Sequence, residues 1–249
     1  MKILEKQSNI KINGAKMSTA GRPENLSPFL QYVNLTLILG LPASGKSSLI
    51  RQLLMGTREN NLYNNVFHSV YYISPSDTMD LNIPEDKKIK LYDEPLEDIL
   101  EKIIENESDI GSEEEPHHVL IIMDDAINFL SSRADALRTF RKIVMNGRHI
   151  LGQHSSLQTW LVSQKVKSIP LTLRSQANQL FTFDTTKAEK EIIRDEFTGL
   201  DKKEGKELFK YIFDKKHNFM FINLHLPLNT RYFKNFNRLM VVDEEVEED

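Results

Sequence analysis

Gly40-Leu41-Pro42-Ala43-Ser44-Gly45-Lys46-Ser47 places two glycines in one short loop and follows the second with a lysine and a hydroxyl. Each residue type suits one part of holding a phosphate. Glycines let the backbone turn until successive N–H groups converge on one anion. A helix that begins at Lys46 adds the partial positive charge of its N-terminus. Lys46 supplies a mobile cation and Ser47 a hydroxyl for a divalent metal, with Ser48 completing the nucleotide-contacting set. The run fits G-x-x-x-x-G-K-[ST], and an apolar strand before it with a helix after it is the context that confirms the pattern. An ordinary glycine turn does not account for the adjacent Lys and Ser.

A second, acidic element must accompany such a loop, because magnesium prefers hard oxygen ligands. Val119-Leu120-Ile121-Ile122-Met123-Asp124-Asp125 provides it. Asp124, ending a buried strand, is expected to hold Mg2+ together with Ser47. Asp125 is the candidate base or water-positioning group. The two motifs together predict ATP and Mg2+ as cofactors and ATP hydrolysis as the reaction. About eighty residues separate them. That leaves room for an extra strand and helix between them, as in the additional-strand class of P-loop ATPases and unlike small nucleotide kinases.

The elements that position these residues are legible in outline. Strands are predicted at Leu35 to Leu39, Ser69 to Ser74, Lys88 to Tyr92, Val119 to Met123, Thr159 to Ser163, Gln179 to Phe183, Phe219 to Leu224 and Leu239 to Val242. Helices are predicted from Lys46 to Leu54, Leu96 to Ile104, Ala134 to Met145, Lys187 to Phe197 and Lys203 to Phe213, with a short one after Ile169-Pro170. Glu105 to Glu115 reads as an acidic surface loop. The alternation implies an α/β domain with a mainly parallel sheet, whose ligands sit beyond the carboxyl ends of the strands. Residues 1–30, with Gly14, Gly21, Pro23 and Pro28, read as an irregular arm. Residues 31–242 form a single ATPase domain, and 243–249 an acidic, disordered tail.

Composition narrows the setting. The formal charge is −4 and there are no cysteines, so disulfides and thiolate metal sites are excluded. No apolar run approaches the ~18 residues of a membrane span. Met1 to Lys16 lacks the pattern of a secretory signal, so a cytosolic setting is expected. The charge is uneven: Ser131 to Arg174 holds eight basic residues against one acid, Asp135.

Asp124-Asp125, Asn146-Gly147-Arg148-His149, Trp160-Leu161-Val162-Ser163-Gln164, Ile169-Pro170, Arg174 and Leu180-Phe181-Thr182-Phe183 occur in an order that resembles the poxvirus-type DNA-packaging ATPases of large DNA viruses and virophages, within the FtsK–HerA superfamily. The likeness covers roughly residues 33–200. It implies a P-loop fold of the RecA/FtsK-like class, with Lys46, Asp125, Arg148 and Gln164 catalytic. Arg148 resembles the family's Gly-Arg-His arginine, a finger acting on a neighbour's γ-phosphate, with Arg174 the alternative. Gln164 resembles the polar sensor of the γ-phosphate. The stretch Ile150 to Thr159 is longer than the family pattern, and many relatives carry Glu where Asp125 stands. His149 has no second ligand spaced to help it hold a metal.

The resemblance implies a translocase that packages double-stranded DNA into a preformed capsid. It would act as a ring of identical subunits docked on a capsid or portal-vertex protein, in the virion and the host-cell cytoplasm. Lys165, Lys167 and Arg174 are the expected DNA contacts, through phosphate and independent of sequence. A small-molecule kinase would need an arginine-rich lid, and none follows Asp125. A nucleotide-switched assembly scaffold is the other alternative.

Overall fold

The computed structural model describes residues 2–6, 35–55, 63, 66–75, 83–91, 94–112, 114–147, 149–152 and 154–242. Its strands are β1 (Lys2–Lys6), β2 (Leu35–Leu39), β3 (Ser69–Ser74), β4 (Lys88–Lys90), β5 (His117–Asp124), β6 (Ser155–Ser163), β7 (Gln179–Phe183), β8 (Phe219–Asn223), β9 (Tyr232–Lys234) and β10 (Asn237–Val242). Its helices are α1 (Lys46–Met55), α2 (Leu96–Glu107), α3 (Ile127–Ser132), α4 (Ala134–Asn146), α5 (Leu171–Arg174), α6 (Lys187–Ile193) and α7 (Lys202–Ile212). A π-turn, Arg194–Thr198, extends α6 and ends at Gly199 in the left-handed region, φ 70°.

The strands form one sheet in the order β1-β10-β9-β8-β7-β2-β6-β5-β3-β4. From β7 to β4 every pairing is parallel, and from β7 outward to β1 every pairing is antiparallel. The strand lying between β2 and β5 is β6, which follows Asp125 in the chain. The strands that separate the two motifs in sequence, β3 and β4, lie instead beyond β5 at the sheet edge. The additional strand is therefore present, but it comes from downstream.

Side-chain alternation along the strands splits the core into two layers. Leu35, Leu37 and Leu39 of β2 join Ile121, Met123 and Leu161 beneath α2, α4 and α7. Ile38, Leu120, Ile122 and Trp160 face the other way, against Leu49, Ile50 and Leu53 of α1. Trp160 is fully buried, edge-on to Tyr63, so it is a core residue. In α4 the buried Ala136, Thr139, Phe140, Ile143 and Val144 recur at helical spacing. Its arginines fall outside that stripe, with Arg138 exposed beside Asp135.

Three expectations are corrected. Lys2–Lys6, expected within an irregular arm, is a strand paired antiparallel to β10, Lys2 opposite Val242 through to Lys6 opposite Arg238. Its apolar pair Ile3-Leu4 is too short to carry a periodicity; the open edge of β10 supplies the pairing. The stretch between Ile150 and Thr159 is longer because β6 starts at Ser155 and is buried along its whole length. The acidic loop begins later than Glu105: Glu107 closes α2 with its carboxylate buried, accepting from Tyr71, Ser69 and Lys87 and paired with His117 Nε2 at 2.6 Å. Residues 7–30, 243–249 and Arg148 lie outside the described residues.

Candidate phosphate-binding site

Both predicted motifs hang from the carboxyl end of β6. The amide of Gly40 donates to the carbonyl of Ser163 at 3.2 Å, and the amide of Asp125 to that of Val162 at 3.1 Å. Gln164 is the next residue of the same strand end. Loops from β2 and β5 and the residue leaving β6 are thus gathered at one edge, where parallel sheets bind ligands.

The loop itself is shaped for a tightly held anion. Ala43 and Gly45 take positive φ, 56° and 116°. A Cβ at Gly40 would stand 2.5 Å from Ser44 Oγ and 3.0 Å from Phe183 Cβ, so a larger residue there would displace the Ser44 hydroxyl and crowd Phe183. Ser44 Oγ is buried without a partner, an orphaned donor of the kind a phosphate oxygen satisfies. Lys46 Nζ is also buried, donating to the carbonyls of Gly40 at 2.7 Å and Leu41 at 3.2 Å. Burial pulls the lysine's pKa down, opposed by the charges of Asp125 and Asp124. A triphosphate is a better partner for that ammonium than two carbonyls.

The two acids differ in environment. Asp124 accepts a 2.5 Å hydrogen bond from the Tyr72 hydroxyl. Burial pushes the Asp124 carboxyl above the usual range and Asp125's charge adds to it, while the Tyr72 bond and Lys46 hold it back. Asp125 sits at φ 51°, the left-handed region. Asp is among the few non-glycine residues that visit this region readily. Its Oδ2 accepts from Gln164 Nε2 at 3.0 Å. Ser47 and Ser48 are exposed on the first turn of α1.

Beyond Gln164 the chain makes a braced turn. The buried Glu189 accepts the amides of Val166 at 2.5 Å and Lys167 at 3.4 Å. Arg174 donates to the carbonyls of Val166 and Ile169 and forks onto Glu196, with two 2.7 Å bonds. Every nitrogen of that guanidinium is engaged. Arg174 therefore holds this turn, a use different from the expected DNA contact or trans finger. Lys165 and Lys167 remain exposed on the turn's surface.

A cleft of about 490 Å3 runs from Ala43–Leu49 to Gln52, Phe183, His217, Phe219 and Phe236. Of its far wall, sequence reasoning marked only Phe183 and Phe219, as strand residues. His217 lies in a turn, and nothing in its neighbours flags it. Leu41 and Pro42 are exposed on the loop's outer side. Among the described residues, no helix is long and apolar enough to cross a membrane.

No protein-family model matches the sequence, and no curated protein matches it. Solved structures do. The genome packaging NTPase B204 of Sulfolobus turreted icosahedral virus 2, in complex with ATP-gammaS, is similar with a TM-score of 0.55 and 14% identity, over 79% of this chain and 94% of that one. EssC (ATPases 2 and 3) from Geobacillus thermodenitrificans gives 0.52 and 13%, over 84% of this chain and 39% of that one. The pCW3 conjugation coupling protein TcpA with ATPgS gives 0.51 and 13%, over 82% and 60%. With β6 interposed between the phosphate-loop and acidic strands, this chain shares its fold with these ATPases and spans nearly the whole of the B204 structure.

Proposed function

We propose that the chain is an ATPase that drives double-stranded DNA into a preformed viral capsid, working as a homo-oligomeric ring. The observation that carries this reading is the placement of Gly40–Ser47, Asp124-Asp125 and Gln164 on the end of β6, with two exposed lysines on the braced turn that follows. A site that only stored nucleotide would not need its γ-phosphate end joined to a basic turn. The likeness to B204, whose structure is described as that of a genome packaging NTPase, supports the same reading.

In this mechanism Lys46 leaves the carbonyls of Gly40 and Leu41 for the β- and γ-phosphates. Ser47 and Asp124 would hold Mg2+, which when bound neutralises charge on the phosphate oxygens. Asp125 orients the attacking water or accepts its proton. Gln164 donates to Asp125; a γ-phosphate oxygen would compete for its amide and free the carboxylate for water. The movement of Gln164 shifts Lys165 and Lys167 against the DNA backbone, where contacts to phosphate carry no sequence preference. Arg148 completes a neighbour's site in the ring, and an always-charged fork suits that task. The ring would dock on a capsid or portal-vertex protein, in the virion and the host-cell cytoplasm.

The decisive experiment measures ATP hydrolysis with and without duplex DNA, beside the particle mass in an ATP analogue. Stimulation by DNA and a closed oligomer are expected. Unstimulated hydrolysis by a monomer, or a phosphorylated small-molecule product, would overturn the proposal.

A further inference from the structure

The far wall of the cleft has a chemistry of its own, separate from the phosphate end. Phe219 packs against Phe183 with centroids 5.7 Å apart and edge-on to Phe236 at 5.3 Å. These rings lie next to the phosphate loop, since the Phe183 ring comes within 3.1 Å of a Cβ built on Gly45. A nucleoside triphosphate whose phosphates fill the loop must lay its base along this wall. Aromatic faces hold bases by stacking, with little regard for which base it is. Stacking here sets affinity and leaves identity open.

His217 closes that opening. Its Nδ1 stands 2.9 Å from the carbonyl oxygen of Ser44. A carbonyl only accepts, so Nδ1 carries a proton, and the tautomer this contact selects has Nε2 as its acceptor. In that tautomer Nε2 offers the cleft an acceptor and no donor.

The turn that presents the ring is built rather than incidental. His217 sits at φ 68°. Asn218 donates to Asp214 at 2.7 Å and accepts from Asn235 at 3.1 Å, while Asn235 accepts the amide of Phe219 at 3.0 Å. Three side chains thus fix the turn between α7 and β8 that holds His217 against the phosphate loop.

We infer that His217 is a specificity-determining residue, its Nε2 accepting from the exocyclic amine of adenine and opposing the 6-oxo group of guanine. Adenine presents a donor at that position and guanine an acceptor. An acceptor placed against an acceptor leaves both unsatisfied, which weakens binding. This rests on the reading of the loop as a nucleoside triphosphate site.

Calorimetric binding of ATP-gammaS, GTP-gammaS and the 6-oxo analogue ITP to the full chain tests it, because binding does not depend on hydrolysis. The wild type should bind ATP-gammaS at least about tenfold more tightly than either oxo-purine, a difference of about 1.4 kcal/mol. His217→Gly removes the ring while glycine accepts the positive φ, and the preference should collapse to within about twofold. Phe236→Ala should weaken all three nucleotides together and leave the ratio intact. Equal affinity for ATP-gammaS and GTP-gammaS in the wild type overturns the inference. So does a preference that survives His217→Gly, or Phe236→Ala with unchanged affinities. If none of the three binds, the nucleotide reading fails with it; if all bind equally, only the role of His217 fails.

Discussion

Gln164 Nε2 donates to Asp125 Oδ2 at 3.0 Å, joining the end of β6 to the acid that follows β5. The bond pairs a candidate sensor with a candidate water-positioning group. Asp125→Asn keeps the shape but cannot take a proton, so ATP should still bind while turnover falls by about 10²-fold or more. Gln164→Ala should also bind ATP, with turnover reduced and DNA stimulation lost. Filter binding beside steady-state hydrolysis separates these outcomes; an Asp125→Asn variant that hydrolyses normally would move the role to Asp124.

Tyr72 tunes the other acid. Its hydroxyl bond holds the Asp124 carboxyl down against burial, so Tyr72→Phe should let that pKa rise further. Because activity requires the charged carboxylate, its loss on acidification should begin at higher pH in the variant. A pH–rate profile whose acid limb stays put would exclude Asp124 from the working site.

Lys46→Ala removes the loop's mobile cation and should nearly abolish ATP binding. Arg148→Ala should bind ATP and turn it over slowly. Mixing the two should restore single-turnover hydrolysis, since some interfaces then pair an intact loop with an intact arginine. Absence of rescue, with mixed assembly confirmed by mass, would withdraw the trans role.

Arg174→Ala releases the carbonyls of Val166 and Ile169 and leaves Glu196 without its fork. Basal hydrolysis should persist while stimulation by DNA drops severalfold, because Lys165 and Lys167 lose their fixed presentation. Arg174→Lys should rescue poorly, as a single ammonium cannot make the fork. Equal loss of basal and stimulated rates would mark a merely structural residue.

Glu107 predicts acid sensitivity at the opposite end of β5. Burial raises its pKa, but hydrogen bonds from Tyr71, His117, Lys87 and Ser69 outweigh that and hold it at about 2. A depressed carboxylate stabilises above its unfolded value of about 4.5 and loses that contribution as pH falls toward 2. Glu107→Gln should be less stable at neutral pH and show a flatter decline in melting temperature between these limits.

Much of this architecture was readable from residue types. Leu35 to Leu39 and Val119 to Met123 are apolar without interruption because both faces of their strands are covered, and such runs announce themselves. Ser155 to Gln158 belongs to the same kind of buried strand yet is mostly polar, so the start of β6 was invisible. Tyr232–Lys234 is too short to carry a period. The chemistry divided in the same way. Lys46, Ser47, Asp124 and Asp125 are signalled by local spacing, whereas Glu107 and His217 acquire partners 10 to 173 residues distant in the chain. The engagement of Arg174 with Glu196 is likewise a product of folding, and composition counted that arginine among the free charges.

Two amides from different loops, Gly40 and Asp125, are tied to successive carbonyls of β6, and this makes the strand intolerant of changes in length. Deleting or inserting one residue near its end would exchange the carbonyls that each loop receives and move Gln164 out of line. It would also turn Trp160 toward the opposite layer, because neighbouring strand positions face opposite sides. Three elements of the site, two of them distant in sequence, would be lost through one indel. Length variation should therefore be excluded from Ser155–Ser163.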